Sequence, residues 1–175
     1  MEKINSGLEA LNRLTSGGLP KGFIVLCKGK AGTGKTLLLR EFLIQGMKEK
    51  SLNIYILPNK NPLNVIEVMQ LYNQPVSLEN TVFFVLQGIV NTQESFIKGN
   101  YSSLMDLLID LKQFLSTTEA RDCRLIIENL SSVFIGSKEE TVFDFLKQLF
   151  VALRKKQVTT LIEVQSDALD DKTLA

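Results

Sequence analysis

Short, continuous apolar runs rich in β-branched residues alternate along this chain with stretches whose apolar residues recur at helical spacing. That alternation restricts the fold to a largely parallel sheet with helices packed on it. Phe23-Ile24-Val25-Leu26-Cys27 is the first such run, and its unbroken apolar character reads as a central strand buried on both faces. Residues 35–50 follow as a helix, with Leu38, Leu39, Phe42 and Leu43 along one stripe and Lys48 and Lys50 near its end, where cations complement the helix dipole. The plan repeats with a strand at 52–57, a helix at 63–72 after Pro62, and a strand at 81–86. Leu104, Leu107, Leu108, Leu111 and Leu115 mark a helix that leads into a strand at 124–127. Val142, Phe145, Leu146, Leu149 and Leu153 mark another that leads into a strand at 158–164, with Ser137 and Glu140 at capping-box spacing before it. The polar stretch 91–100 reads as a mobile loop. No linker or low-complexity segment interrupts the 175 residues, so one α/β domain over 1–175 is expected, with helices on both faces of a mostly parallel sheet.

The chemistry is concentrated at the join between the first strand and the first helix. Gly29-Lys30-Ala31-Gly32-Thr33-Gly34-Lys35-Thr36 matches the phosphate-binding loop pattern of Gly, four residues, then Gly-Lys-Thr, in the strand-to-helix context that pattern requires. Glycines let the backbone curl so that successive N–H groups point inward, and the helix that follows adds its positive end. Lys35 is expected to reach the outer phosphates of a nucleoside triphosphate as a mobile charge, and the Thr36 hydroxyl to supply one oxygen ligand to magnesium. A carboxylate at the end of a neighbouring strand organises the metal in such sites. Glu128, directly after Leu125-Ile126-Ile127, is the acidic residue the reading puts there.

Other chemistries are excluded by what the chain lacks or balances. It contains no histidine, which removes Ser/His/Asp triads and the commonest zinc ligands. Cys27 and Cys123 both fall in apolar runs and read as buried small hydrophobes in central strands. Lys plus Arg number 20 against 19 Asp plus Glu, so no global field favours a polyanionic partner, and DNA binding is not favoured. Arg154, Lys155 and Lys156 read as a solvated, dipole-complementing cluster at a helix end. No apolar run approaches the roughly 20 residues needed to span a bilayer, and the N-terminus lacks the pattern of a secretory signal. A cytoplasmic protein with reduced thiols and no membrane contact is expected.

The residues before the loop carry a resemblance. Ile4-Asn5-Ser6-Gly7-Leu8-Glu9-Ala10-Leu11-Asn12, followed by Gly17-Gly18-Leu19-Pro20-Lys21-Gly22, resembles the leading segment of RecA-superfamily proteins, nearest to the KaiC and RadA branch. Motif-level matching covers residues 4–36 and, more weakly, 125–132. The resemblance implies a RecA-like core, ATP (with ADP) as the nucleotide, and self-association or a RecA-family partner protein. It also implies that Gln165, at the end of the last strand, stands where related proteins often place a polar sensor of the γ-phosphate. Two departures follow. Members usually carry one or two glutamates just after the second core strand, one of which polarises the attacking water, whereas this chain has Pro58-Asn59-Lys60-Asn61-Pro62. Loss of a general base costs about 10²- to 10⁴-fold in rate, so slow or absent hydrolysis is expected unless Glu67 or another acid substitutes. Beyond the last strand Lys172 is the one basic residue available to act as a finger on a neighbour's nucleotide. A nucleotide-dependent regulatory or scaffold protein is the leading expectation. An active ATPase or autokinase of the KaiC type, and a recombination accessory protein resembling RadA paralogues, stand as alternatives.

Overall fold

Fourteen elements realise the alternation in a computed structural model that describes residues 1–72, 76–88, 90, 94–118, 122–134 and 137–166. Two short strands, β1 (Lys3–Ile4) and β2 (Leu19–Pro20), pair antiparallel around the helix α1 (Glu9–Leu14). The core then runs β3 (Ile24–Gly29), α2 (Lys35–Lys48), β4 (Leu52–Pro58), α3 (Pro62–Leu71), β5 (Thr81–Leu86), β6 (Ile97–Tyr101), α4 (Leu104–Thr117), β7 (Cys123–Ile127), α5 (Leu130–Phe134), α6 (Glu139–Lys155) and β8 (Thr159–Gln165). Six of the strands form one sheet in the order β3-β8-β7-β4-β5-β6, and every neighbouring pair is parallel.

Alternation of side chains along the strands divides the core into two layers. On one face Tyr55, Leu57, Phe83, Ile126 and Leu161 pack against Leu39, Phe42 and Leu43 of α2 and Val65, Ile66 and Met69 of α3. On the other, Ile54, Ile56, Phe84, Leu125, Ile127 and Ile162 meet the leucine stripe of α4 and Val142, Phe145, Leu149 and Leu153 of α6. The helices therefore lie on both faces, as the alternation predicts, and the stripes read from spacing face the core, with Leu38 and Leu146 only partly buried.

Three sequence expectations are corrected. The run 23–27 is not a central strand: β3 is at the sheet edge with β8 as its sheet neighbour, Phe23 and Leu26 are 48% and 45% exposed, and Cys27 is half-buried. Cys123, on the interior strand β7, is buried as expected. Within the stretch 91–100 read as a loop, Ile97 begins β6, which pairs with β5 across a register shift between Phe83 and Phe84, while residues 91–93 lie outside the described residues. Lys98, Gly99 and Asn100 gave that strand too little apolar character to be read. Finally, α6 is capped at Lys138 with no side-chain hydrogen bond, so Ser137 and Glu140 do not form a capping box.

Arg124 fixes α2, and hence the loop that precedes it, onto the sheet. Its guanidinium is buried on β7, donates to the carbonyls of Asn5 at 2.7 Å and Phe42 at 3.3 Å, pairs with Glu49, and stacks 4.6 Å from the centre of the Phe42 ring. Gly7 lets the leading segment press on the same helix, since a Cβ there would lie 2.3 Å from the Glu41 carbonyl oxygen.

Candidate functional site: the loop between β3 and α2

Gly29 ends β3 in register with Gln165 of β8, and α2 starts at Lys35. Between them the chain turns through Gly32 (φ +77°) and Gly34 (φ +84°), left-handed conformations that a side chain would strain. Gly34 is the N-cap of α2 and supplies no side-chain cap. The first N–H groups of a helix have no partner within it, so the first turn of this 14-residue helix presents donors and the positive end of its dipole toward the turn.

Side chains complete the arrangement. Lys35 is buried, and its ammonium donates to the Lys30 carbonyl at 2.6 Å, an oxygen that also accepts from the Thr33 hydroxyl at 2.8 Å. Thr36 donates its hydroxyl to the Glu163 carboxylate, 3.0 Å from Oε2 and 3.2 Å from Oε1. Glu163, 5% exposed on β8, also lies 4.0 Å from the Lys35 ammonium. A cavity of about 360 Å³ opens above these groups, lined by Ala31, Gly32, Gly34, Lys35, Thr36, Leu37, Glu163 and Gln165. The donor set suits a polyphosphate: backbone N–H groups, one mobile ammonium and one hydroxyl converge on an open glycine turn where a Cβ at Gly32 or Gly34 would meet nothing within 4 Å. The oxygens of Thr36 and Glu163 suit a hard divalent cation.

Gly29, Lys30, Ala31, Gly32, Thr33, Gly34, Lys35 and Thr36 are thus gathered into one turn, and Gln165 borders the same cavity while its backbone N–H donates to Ser131 Oγ at 2.9 Å. Glu128, at the end of β7 beside β8, does not line that cavity. It is 1% exposed, accepts from the Tyr55 hydroxyl at 2.7 Å and pairs with Lys60. The carboxylate that meets Thr36 is that of Glu163, which the sequence reading did not single out. A glutamate inside the otherwise buried run Thr159–Gln165 was the available signal. Glu67 lies on an exposed part of α3 and does not border the loop cavity. Lys172 is outside the described residues.

Charge couples the two carboxylates to their neighbours. The Tyr55 phenol is held well above its ordinary range by burial and then by the Glu128 carboxylate, with Arg40 opposing. Burial raises the Cys27 thiol, Glu163 adds to the rise, and Lys35 counteracts it. A larger groove of about 600 Å³ lies between α4 and α6, bordered by Leu115, Val151 and several lysines. It is on the sheet face opposite α2 and has no glycine and no helix N-terminus in its lining, so the candidate site is the smaller cavity. No group of three or more His, Cys, Asp or Glu suited to hold a metal occurs among the described residues, and no helix among them is long and apolar enough to cross a membrane.

Comparison with known proteins agrees with this geometry. A model of the KaiC ATPase family matches residues 4–174. The circadian clock oscillator protein KaiC of a Nostoc species is 25% identical over 173 residues, covering 94% of this chain and 32% of that protein. A UPF0273 protein of Thermotoga maritima is 23% identical over 143 residues, covering 77% of this chain and 58% of its own length. The chain therefore spans about a third of the one relative and under two thirds of the other.

Proposed function

This chain belongs to the KaiC ATPase family, and from that footing we propose that it binds ATP with magnesium at the β3–α2 loop and hydrolyses it slowly or not at all, the bound state being its output. The observation that carries the second half is Lys60. It stands in the segment after β4 where the resemblance calls for a glutamate, and it is paired with Glu128 beside an otherwise complete phosphate loop.

In this reading the N–H groups of the loop and of the first turn of α2 hold the phosphates, and Lys35 exchanges the Lys30 carbonyl for a phosphate oxygen. The Thr36 hydroxyl would serve as a magnesium ligand, Gln165 would face the outer phosphate, and Glu128, at the end of β7, would act toward the metal through water. Magnesium supplies charge neutralisation across the phosphates when bound. Regulation by the bound nucleotide fits the kinship with clock oscillator proteins. Self-association, or association with a related partner, is the matching mode of action, in the cytoplasm.

Calorimetric titration with MgATP and MgADP, with Lys35→Ala as control and phosphate release followed in the same samples, tests the proposal. Binding that the control lacks, without release above the control, is expected. Release faster than the control would transfer the assignment to a working ATPase. No binding of either nucleotide would refute the reading.

A further inference from the structure

Glu163 sets a condition on binding that a phosphate loop alone does not. Its two carboxylate oxygens both accept from Thr36, and one lies 4.0 Å from the Lys35 ammonium, so a buried carboxylate bonds one of the two side chains a triphosphate would recruit and stands near the other. Glu128, the neighbouring strand-end carboxylate, is held by Tyr55 and Lys60. A metal-free nucleotide would bring negative charge against Glu163 in a poorly solvated site, where like charges repel strongly. A divalent cation reverses the sign of that contact, because the Thr36 hydroxyl and the Glu163 carboxylate are both hard oxygen donors and magnesium shares such donors with phosphate oxygens.

Resting on the nucleotide-binding reading above, we propose that Glu163 is a magnesium ligand shared with Thr36 and makes nucleotide binding obligatorily dependent on a divalent cation. In the metal-free protein the same carboxylate holds Thr36 beside Lys35 and rejects free ATP. Glu163 is thus a specificity determinant for the metal complex over the bare nucleotide.

The experiment is a set of calorimetric titrations with ATP, in magnesium and in EDTA, on the wild-type protein, on Glu163→Gln, which preserves shape, and on Glu163→Thr, whose side chain suits a strand. Melting followed by circular dichroism checks the fold of each. The wild type is expected to bind MgATP at least about a hundredfold more tightly than ATP in EDTA. In the variants that ratio is expected to fall below about tenfold, with metal-free ATP bound more tightly than by the wild type. A ratio in either folded variant within about twofold of the wild-type value, or a wild-type ratio already below about tenfold, would overturn the proposal while leaving nucleotide binding intact. A wild type that binds in neither condition would instead remove the reading on which it rests.

Discussion

Replacing Lys60 with Met should destabilise the protein although Lys60 is a surface residue, because its partner is not. The side chain of Lys60 is 45% exposed and that of Glu128 is 1% exposed. Once the ammonium is gone, the carboxylate keeps the Tyr55 hydroxyl at 2.7 Å and, among the described residues, no ion-pair partner. Stranding one member of a buried pair costs about 3–5 kcal/mol. Solvent already screens the lysine end, which reduces that figure toward the scale of exposed pairs, so a loss of about 2–3 kcal/mol is expected. For a chain of this size that corresponds to a melting temperature lower by roughly 5–10 °C. The chain has no tryptophan, so urea and thermal unfolding should be followed by far-ultraviolet circular dichroism. Glu128→Gln combined with Lys60→Met should recover at least about 1 kcal/mol relative to Lys60→Met alone, since the stranded charge is removed. A Lys60→Met variant within about 0.5 kcal/mol of the wild type would refute the reasoning, placing Lys60 among ordinary surface residues.

Three further outcomes test other parts of the structure. Gly46→Ala within α2 would gain about 1 kcal/mol from helix propensity alone, but the new Cβ would lie 1.9 Å from Asn53 Oδ1 and 2.7 Å from Arg124 Cδ. Overpacking costs about 1–3 kcal/mol, so urea unfolding should show a net loss. Asn59→Glu places a carboxylate just after β4, where the resemblance expects one, at a residue with φ +56° that costs a glutamate about 1–2 kcal/mol. Phosphate release should rise at least about tenfold over the wild type, below the full value of a general base because the backbone there is strained. Burial pushes the Cys123 thiol from 9.0 up to about 12. The unfolded chain therefore loses that proton first as pH rises, and stability falls between about pH 9 and 12 by up to about 1.4 kcal/mol per unit. Cys123→Ala should flatten that part of the pH–stability profile, while the contribution of the buried Tyr55, of the same sign, remains.

The parts of this molecule that could be read from sequence are those specified by neighbours along the chain. Leu104, Leu107, Leu108, Leu111 and Leu115 disclose a helix because spacing alone puts them on one face, and all five are buried. The phosphate loop is legible for the same reason: its glycines, Lys35 and Thr36 lie within eight consecutive residues. Strand order is a different kind of information. Residues 23–27 look like a central strand because their apolar character is continuous, yet nothing local says that β8 flanks one side of β3 and that Phe23 and Leu26 are left half exposed. Glu163 was missed for that reason, since it meets Thr36 across 127 positions of sequence through the pairing of β3 with β8.

On the proposed function, the same pairing accounts for binding without turnover at this site. Ile127 of β7 lies opposite Ile162 of β8, so the next residues, Glu128 and Glu163, emerge at the same level of the sheet and on the face that carries α2. Each meets a lysine from the segment that follows a parallel strand: Glu163 lies near Lys35 after β3, and Glu128 is bound to Lys60 after β4. One lysine belongs to the phosphate loop, and its carboxylate is the one proposed above to take a metal. The other stands where a water-activating carboxylate would be needed, and it neutralises the strand-end carboxylate nearest to it. A magnesium-bound triphosphate would displace the first pair by offering Lys35 its oxygens and Glu163 the cation. It offers nothing comparable to the second pair, because releasing Lys60 would leave Glu128 buried and unpaired. On that proposal the two pairs respond differently to the same ligand: Lys35 and Glu163 would separate on binding, and the Lys60–Glu128 pair would persist. Phosphate release should accordingly respond to Asn59→Glu, which adds a carboxylate outside the second pair, and not to a higher concentration of MgATP.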